Sequence, residues 1–402
     1  MTLIKAVNLL ATICGGAMLT YGIYYALIAL NFIKKKTKYP EAKKLYKFAV
    51  LIAARNEENV IGEIIDSLKG QNYPKELYDI IVMPNNCTDK TKEKAIEHGA
   101  MIIEPTKTVT NKGDVLHQTF DILLKDYDHD AYIIFDADNI VDENYISEMN
   151  KALNAGNQAA IGYRDSKNPT SSYLSGAYTL YYMTVTTFFN RARSNIGMNS
   201  MITGTGFMTS RSNMVKLGGW NTSTLTEDIE FTLQNCVAGT HIEYVPDAIT
   251  YDDIPDDFSV SWNQRLRWAK GSMQNTRLMA KPLMKSVVNG KGKNSLDMFI
   301  MLLAAYMQIF GFFASVVGIL AVFLLDAGII KYLMRICLTG FLAQTFISIV
   351  LLLYYKKPIL KMWKGIIYYP VFTVTWLPII VVAIYKDNVE WKEIKHKAIA
   401  EY

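Results

Sequence analysis

An α/β domain flanked by transmembrane α-helices is the fold class this sequence predicts, on three observations. Long uncharged runs stand near both ends of the chain. In the charge-rich stretch between them, short β-type runs alternate with helical apolar patterns, and two acids close one of the β-type runs. Strands alternating with helices build a parallel sheet covered on both faces, with ligands at the carboxyl ends of the strands.

A chain of 402 residues exceeds what one core uses, since single cores stop growing near roughly 250–300 residues. Half of the residues are hydrophobic although 20% are charged, so apolar residues are concentrated in segments. The 42 basic and 37 acidic side chains leave a formal charge of +5. That is too balanced for a nucleic-acid binder, and no nucleic-acid partner is expected. Cys14, Cys87, Cys236 and Cys337 show no metal-ligand or CxxC spacing and read as free thiols in a reducing cytosol.

The elements follow in order. Residues 6–33 carry no charge and exceed the roughly 20 residues that cross a bilayer. A secretory signal has a shorter apolar core and a small-residue cleavage site, so this run is expected to stay as a helix. Lys34, Lys35, Lys36 and Lys38 follow it and should remain cytosolic, which delivers the next domain to the cytosol. The runs FAVLI at 48–52, IIVM at 80–83 and YIIF at 132–135 read as strands. Val60, Ile61, Ile64, Ile65 and Leu68 form one helical stripe between the first two. The stretch 279–295, with Lys281, Lys285, Lys291 and Lys293, reads as an interfacial amphipathic segment or a solvated linker. Runs 298–325, 332–353 and 366–384 are three more candidate spans, or else buried helices of a soluble domain. Three crossings would put Lys386, Lys392, Lys395 and Lys397 outside, against the positive-inside rule. Pro370 and Pro378 mark 366–384 as the run expected to be re-entrant or interfacial. The expected division is an N-terminal membrane helix with its basic flank (1–38), a cytosolic catalytic domain (45–284) and an interfacial segment with about three membrane or re-entrant helices (285–402).

Asp136 and Asp138 end the third strand one residue apart, so an extended backbone points both carboxylates to one face. Such a pair suits Mg²⁺ or Mn²⁺ on a substrate diphosphate, or it is a solvated turn. Thr226, Glu227 and Asp228 follow the Gly218-Gly219-Trp220 turn and open a helical pattern, where ordinary capping would also account for them. Gln264, Arg267 and Trp268 stand at i, i+3 and i+4 and share one helix face. Arg forks onto a diphosphate and Trp offers a flat surface to a sugar ring, although Trp268 could equally anchor an interface.

Together and in this order, these residues resemble the processive members of glycosyltransferase family two, whose signature is D, DxD, (T/S)ED and QxxRW. The resemblance covers nearly the whole chain. It implies a GT-A type nucleotide-sugar-binding domain beside a membrane pore, in a multi-pass protein of the cell membrane that polymerises a β-linked polysaccharide with inversion. It implies a UDP-sugar donor with UDP-glucose first, a growing polysaccharide as acceptor, and a glucan ahead of poly-N-acetylglucosamine or a hyaluronan-type product. By the same resemblance Asp228 is the base, Asp138 ligates the metal, and Asp136 touches the nucleotide. Glu57, Asn85, Lys112 and Glu227 join the substrate-binding set, while Gln264, Arg267 and Trp268 line the acceptor site and the diphosphate. One departure is Pro84-Asn85-Asn86-Cys87-Thr88-Asp89, where many members carry an Asp facing the uracil; an amide of Asn85 or Asn86 can still bond a pyrimidine edge, and Asp89 reads as a helix cap. Thr203 to Phe207 would form an acceptor-site wall, or a plain β-turn. Phe372 to Thr375 echo a gating loop of cellulose synthases but lie inside an apolar run, which reads as coincidence. Four spans make a thin pore wall, which partner subunits (a homo-oligomer or accessory export subunits) or interfacial helices would complete. Two rivals stand beside this: a single-addition transferase acting on a lipid-linked acceptor, and a non-enzymatic membrane scaffold, which the retained Asp136, Asp138 and Asp228 oppose.

Overall fold

The computed structural model describes residues 3–34, 39–290, 292–325 and 329–386. Lys35, Lys36, Lys38, Lys291, Lys392, Lys395 and Lys397 lie outside the described residues.

After helix α1 (Leu3–Ala29), the α/β region runs β1 (Phe48–Ala54), α2 (Ile61–Lys69), β2 (Tyr78–Pro84), α3 (Thr91–Glu97), β3 (Met101–Ile102), α4 (Lys112–Asp126) and β4 (Ala131–Asp136). It continues with β5 (Ile140–Val141), α5 (Tyr145–Asn154), β6 (Ala159–Ser166), α6 (Tyr173–Thr184), a π-helical stretch (Val185–Arg191) and α7 (Ala192–Ser194). Then come β7 (Phe207–Ser210), α8 (Arg211–Leu217), α9 (Glu227–Ala238), β8 (Ile242–Asp252) and the long α10 (Phe258–Val288). The chain closes with α11 (Gly292–Leu302), α12 (Ala304–Leu325), α13 (Ile329–Tyr354), α14 (Trp363–Val374) and α15 (Trp376–Tyr385).

The eight strands form one mixed sheet in the order β3-β2-β1-β4-β7-β6-β8-β5. β1 pairs in parallel with β2 and β4, whereas β7 runs antiparallel to β4 and β6. Period-2 alternation divides the core: Phe48, Val50 and Ile52 of β1 pack on Ile64, Ile65 and Leu68 of α2, while Ala49 and Leu51 face Leu116 and Phe120 of α4. Burying each large apolar side chain contributes about 1.5–3 kcal/mol. Trp220, fully buried, stacks on Phe231 of α9 at 4.3 Å and on Phe120, which ties the later half of the domain to the first. This is a GT-A-like arrangement in which β1, β2 and β4 all end at one edge of the sheet.

Three helical segments are long and apolar enough to span a membrane, Lys5–Ile33, Met334–Tyr354 and Trp363–Tyr385. A fourth is counted if α11 and α12, which meet at a 50° bend, act as one. That bend departs from the single run expected over 298–325. Met298 and Leu302 pack on Leu233 of α9 and on Met279 and Leu283 of α10, so burial holds α11 against the α/β domain. Asp297 of α11 is wholly buried with Arg193, which donates from Nε at 2.9 Å, and it also accepts from the Tyr24 hydroxyl of α1 at 2.6 Å. The linker reading of 279–295 gives way as well, because α10 continues past Pro282 to Val288.

Candidate active site

At the carboxyl end of β1, Glu57 follows the strand; at the end of β2, Asn85 donates from Nδ2 to the Ala54 carbonyl at 2.9 Å, which leaves its own side-chain oxygen for a ligand. Lys112 opens α4 behind the N-cap Asn111, whose side chain accepts from the Asp114 N–H. Beside it Gly113 is closely packed: a Cβ there would meet Thr222 Oγ1 at 2.7 Å. The Lys112 ammonium is therefore delivered to the end of β4, where it bonds the Asp136 carboxylate and the Gly204 carbonyl, the latter at 2.9 Å.

The turn after β4 is held by a buried polar network. The Asp136 N–H donates to Thr205 Oγ1 (2.9 Å) and Asn139 Oδ1 (3.2 Å). Asn139 Nδ2 donates to Asp252 Oδ1 at 2.8 Å, and Arg164 Nε donates to Asp252 Oδ2 at 2.9 Å. Arg164 also donates to the Thr203 carbonyl at 2.6 Å and lies 4.2 Å from the Tyr182 ring centre. Burial alone would lift Asp136, but Lys112, Arg164 and Arg267 outweigh it and hold the carboxyl below its usual value. Lys112 is raised in turn, since Asp136 and Glu227 overcome its desolvation.

Asp228 behaves in the opposite way. Burial first, then the charge of Glu227, push it up to about 7, against the Ile229 N–H, Arg267 and Lys112. Gly204, at φ 91°, is the hinge between the two acids: a Cβ there would lie 3.8 Å from both Asp136 Oδ2 and Asp228 Oδ2. The Thr-Gly loop thus brings bare backbone between the carboxylates. Capping does not explain Thr226, whose side chain makes no cap bond to α9 and accepts instead from Asn275 Nδ2 at 2.9 Å.

Gln264, Arg267 and Trp268 project from α10 into the same space. The Gln264 Oε1 is buried without a hydrogen-bond partner among the described residues, an acceptor that a ligand hydroxyl would satisfy. Trp268 stacks near Tyr181 (6.5 Å) and Trp376 of α15 (6.2 Å), forming an aromatic wall.

Glu57, Asn85, Lys112, Asp136, Asp138, Glu227, Asp228, Gln264, Arg267 and Trp268 all line one cavity of about 1290 Å³. It continues past Trp376 to Ala304, Ala305 and Gln308 of α12 and to Tyr21 and Tyr25 of α1. The sequence did not reveal Arg164, Asp252, Tyr181 or Trp376, which also line it. Among the described residues no three His, Cys, Asp or Glu side chains form a metal cage. The buried Asp138 carboxylate supplies one hard oxygen donor, which fits a divalent cation whose other ligands are substrate phosphates. Cys87 and Cys236 are free thiols, as are Cys14 and Cys337, and Asp89 accepts from the Thr91 and Glu58 N–H groups.

Residues 46–271 match the family model described as "Glycosyltransferase like family 2". A probable glycosyltransferase, YdaM, of Bacillus subtilis is 29% identical over 239 residues, covering 57% of this chain and 56% of its own. A poly-beta-1,6-N-acetyl-D-glucosamine synthase of Staphylococcus aureus is 27% identical over 226 residues, or 55% of this chain and 53% of its own. The chain thus spans about half the length of the curated relatives it matches. Among solved structures, a mannosyltransferase of Pyrobaculum calidifontis in complex with GDP-Man and Mn2+ superposes with a TM-score of 0.62 at 16% identity, covering 92% of this chain and 99% of that one.

Proposed function

The chain belongs to glycosyltransferase family 2, and from that premise we propose that it is an inverting, processive, membrane-embedded transferase that extends a β-linked polysaccharide from a UDP-sugar. One observation carries the proposal: a single cavity is lined by Asp136 and Asp138, by Asp228, by Trp268 and by residues of α12 and α15. A donor site, a base and an acceptor platform with an exit are what a polymerase needs in sequence.

In this reading Asp228 takes the proton of the acceptor hydroxyl as that oxygen bonds to the anomeric carbon. The bond from that carbon to the diphosphate oxygen breaks, UDP leaves with the electron pair, and the configuration inverts. Asp138 would hold Mg²⁺ or Mn²⁺, which supplies charge to balance the diphosphate. Lys112 and Arg267 add fixed positive charge, and Asp136 orients Lys112. The Asn85 oxygen accepts from the pyrimidine N–H, with Glu57 and Glu227 bordering the donor. Gln264 receives an acceptor hydroxyl, and Trp268 with Tyr181 and Trp376 supports its sugar ring.

For the sugar we rank UDP-N-acetylglucosamine first and UDP-glucose second, a ranking supported by the name of the staphylococcal relative. The proposed topology keeps the catalytic domain in the cytosol, where nucleotide sugars are made; Lys34 after α1 supports it. The far end of the cavity, lined by Tyr21, Ala304 and Ala305 of apolar helices, favours one second reading, a lipid-linked acceptor receiving a single sugar. The test incubates membranes with radiolabelled UDP-N-acetylglucosamine, UDP-glucose or GDP-mannose and Mg²⁺ or Mn²⁺. Polymer cleaved by a β-specific glycosidase supports the proposal; transfer from none of the donors overturns it.

A further inference from the structure

We infer that Trp363–Tyr385, although apolar enough to span, does not cross the bilayer but lies in its surface as a roof of the catalytic domain, with lipid as the partner of its outer face. The inference rests on the membrane reading of α1, α12 and α13 proposed above.

Contacts along the segment's whole length point to this. At its start, Gly365 crosses Gly176 of α6 so closely that a Cβ on Gly365 would meet Gly176 backbone at 2.7 Å. One turn on, the Tyr369 hydroxyl bonds Thr184 at 3.0 Å. Midway, Arg265 of α10 donates to Thr375 Oγ1 at 2.7 Å, at the break between α14 and α15. In the last turn, Lys270 of α10 donates to the Ala383 carbonyl at 3.3 Å, while Ile379, Ile380 and Ala383 pack on Leu266, Ala269 and Met273. A helix crossing a hydrocarbon core of about 30 Å leaves a water-borne domain behind after its first turns. This segment stays on α6 and α10 from end to end.

Charge agrees with contact. Were the segment a span, Arg265 would sit beside its middle and Lys270 beside its far end; Arg265 donates to Thr375 Oγ1, to the Phe372 carbonyl and to the Ser261 carbonyl of its own helix, and Lys270 to the Ala383 carbonyl, all uncharged acceptors. A cation at the bilayer centre costs at least about 2.5–3.5 kcal/mol. The preceding loop also returns to the domain: Lys357 pairs with the buried Asp165 at 2.6 Å, and Tyr355 stacks on Tyr163 at 5.0 Å. The end of α13 and the segment after it therefore share the domain's side.

The outer face fits a membrane surface. Trp363, Ile367, Val371 and Val374 recur at helical spacing and are exposed, with Lys361, Lys364 and Lys386 at the ends. The segment follows α13 after a short loop and packs on its last turn through Leu351 and Leu352, so the bilayer that receives α13 is its natural cover. The inner face carries Thr373, Trp376 and Ile380 into the cavity, which sets the acceptor half directly beneath lipid. With this arrangement Lys386 returns to the side of Lys34, and the conflict with the positive-inside rule disappears.

The test uses the full chain with its four native cysteines replaced by serine and one cysteine introduced at a time, Lys90→Cys, Lys331→Cys or Lys386→Cys. A membrane-impermeant maleimide is applied to intact and to permeabilised cells. Position 386 is expected to label as position 90 does and opposite to position 331, which lies at the other end of α13. Position 386 labelling together with 331 and opposite to 90 overturns the inference. Tyr385→Cys, also exposed, repeats the readout if Lys386→Cys is not inserted. Labelling of position 90 in intact cells would overturn the cytosolic orientation of the proposed function, yet the inference stands if 386 still matches 90.

Discussion

Asp228→Asn keeps the shape of the side chain and removes its capacity to take a proton. Burial and the neighbouring Glu227 lift this carboxyl from 3.8 to about 7, which makes its ionised form costlier by about 4 kcal/mol. A base so raised is matched to neutral pH, and losing it should lower kcat roughly 10²–10⁴-fold, or about 3–5.5 kcal/mol of barrier. The donor KM should change little, because nothing that holds the diphosphate is altered. Wild-type kcat/KM should fall about tenfold per pH unit below about 7 and level off above it, and the Asn variant should lack that limb. Stability separates this loss from misfolding. The folded pKa lies above the unfolded one, so ionising Asp228 costs stability progressively as pH rises from about 4 to about 7. The Asn variant should thus be at least as stable as wild type at about pH 8. Initial rates of UDP release across that pH range, with thermal unfolding on the same preparations, make the measurement. Full turnover by Asp228→Asn, or an unchanged pH limb, refutes the assignment of the base.

Three further outcomes are expected. Lys112→Met removes the ammonium bonded to Asp136, leaving only the more distant Arg164 and Arg267, and should cost about 1.5–3 kcal/mol of stability, together with a raised donor KM, read by denaturation and by donor titration. Asp138→Asn should weaken donor binding when Mg²⁺ is present and leave it nearly unchanged in chelator, whereas the wild type should lose affinity on chelation; calorimetry with the nucleotide checks both. Arg193→Leu strands the wholly buried Asp297 and should cost about 3–5 kcal/mol, much of it recovered by Arg193→Leu with Asp297→Leu, measured by unfolding in detergent.

Strands β1, β2 and β4 were legible because they are short, apolar and bounded by turn residues, and because YIIF ends in Asp136 and Asp138 where β4 ends; the expected parallel sheet is instead a mixed one, because β7 inserts antiparallel between β4 and β6, a long-range pairing that no local pattern signals. The acids and the Gln264, Arg267, Trp268 face were legible for the same reason, since each group is local in sequence and its geometry follows from one strand or one helix. Arg164 was not. It becomes part of the site through the parallel pairing of β6 with β8, which places it opposite Thr250 and within reach of Asp252, and nothing beside it in sequence signals that register. Trp376 joins Trp268 only through the packing of α15 on α10, a contact between segments about a hundred residues apart. Over 298–325 hydropathy reports the apolar composition and not the 50° bend between α11 and α12, on whose α11 side Asp297 pairs with Arg193 and Met298 packs on Leu283.

The central claim, processive transfer with inversion, is tested most directly by the product formed at low conversion from a radiolabelled UDP-sugar. Wild-type membranes should yield long β-linked polymer alongside unused acceptor, and Trp268→Ala should shorten that polymer more than it slows hydrolysis of the donor by water, which needs no bound acceptor. An α-linked product, or a uniform single sugar on lipid, would contradict it.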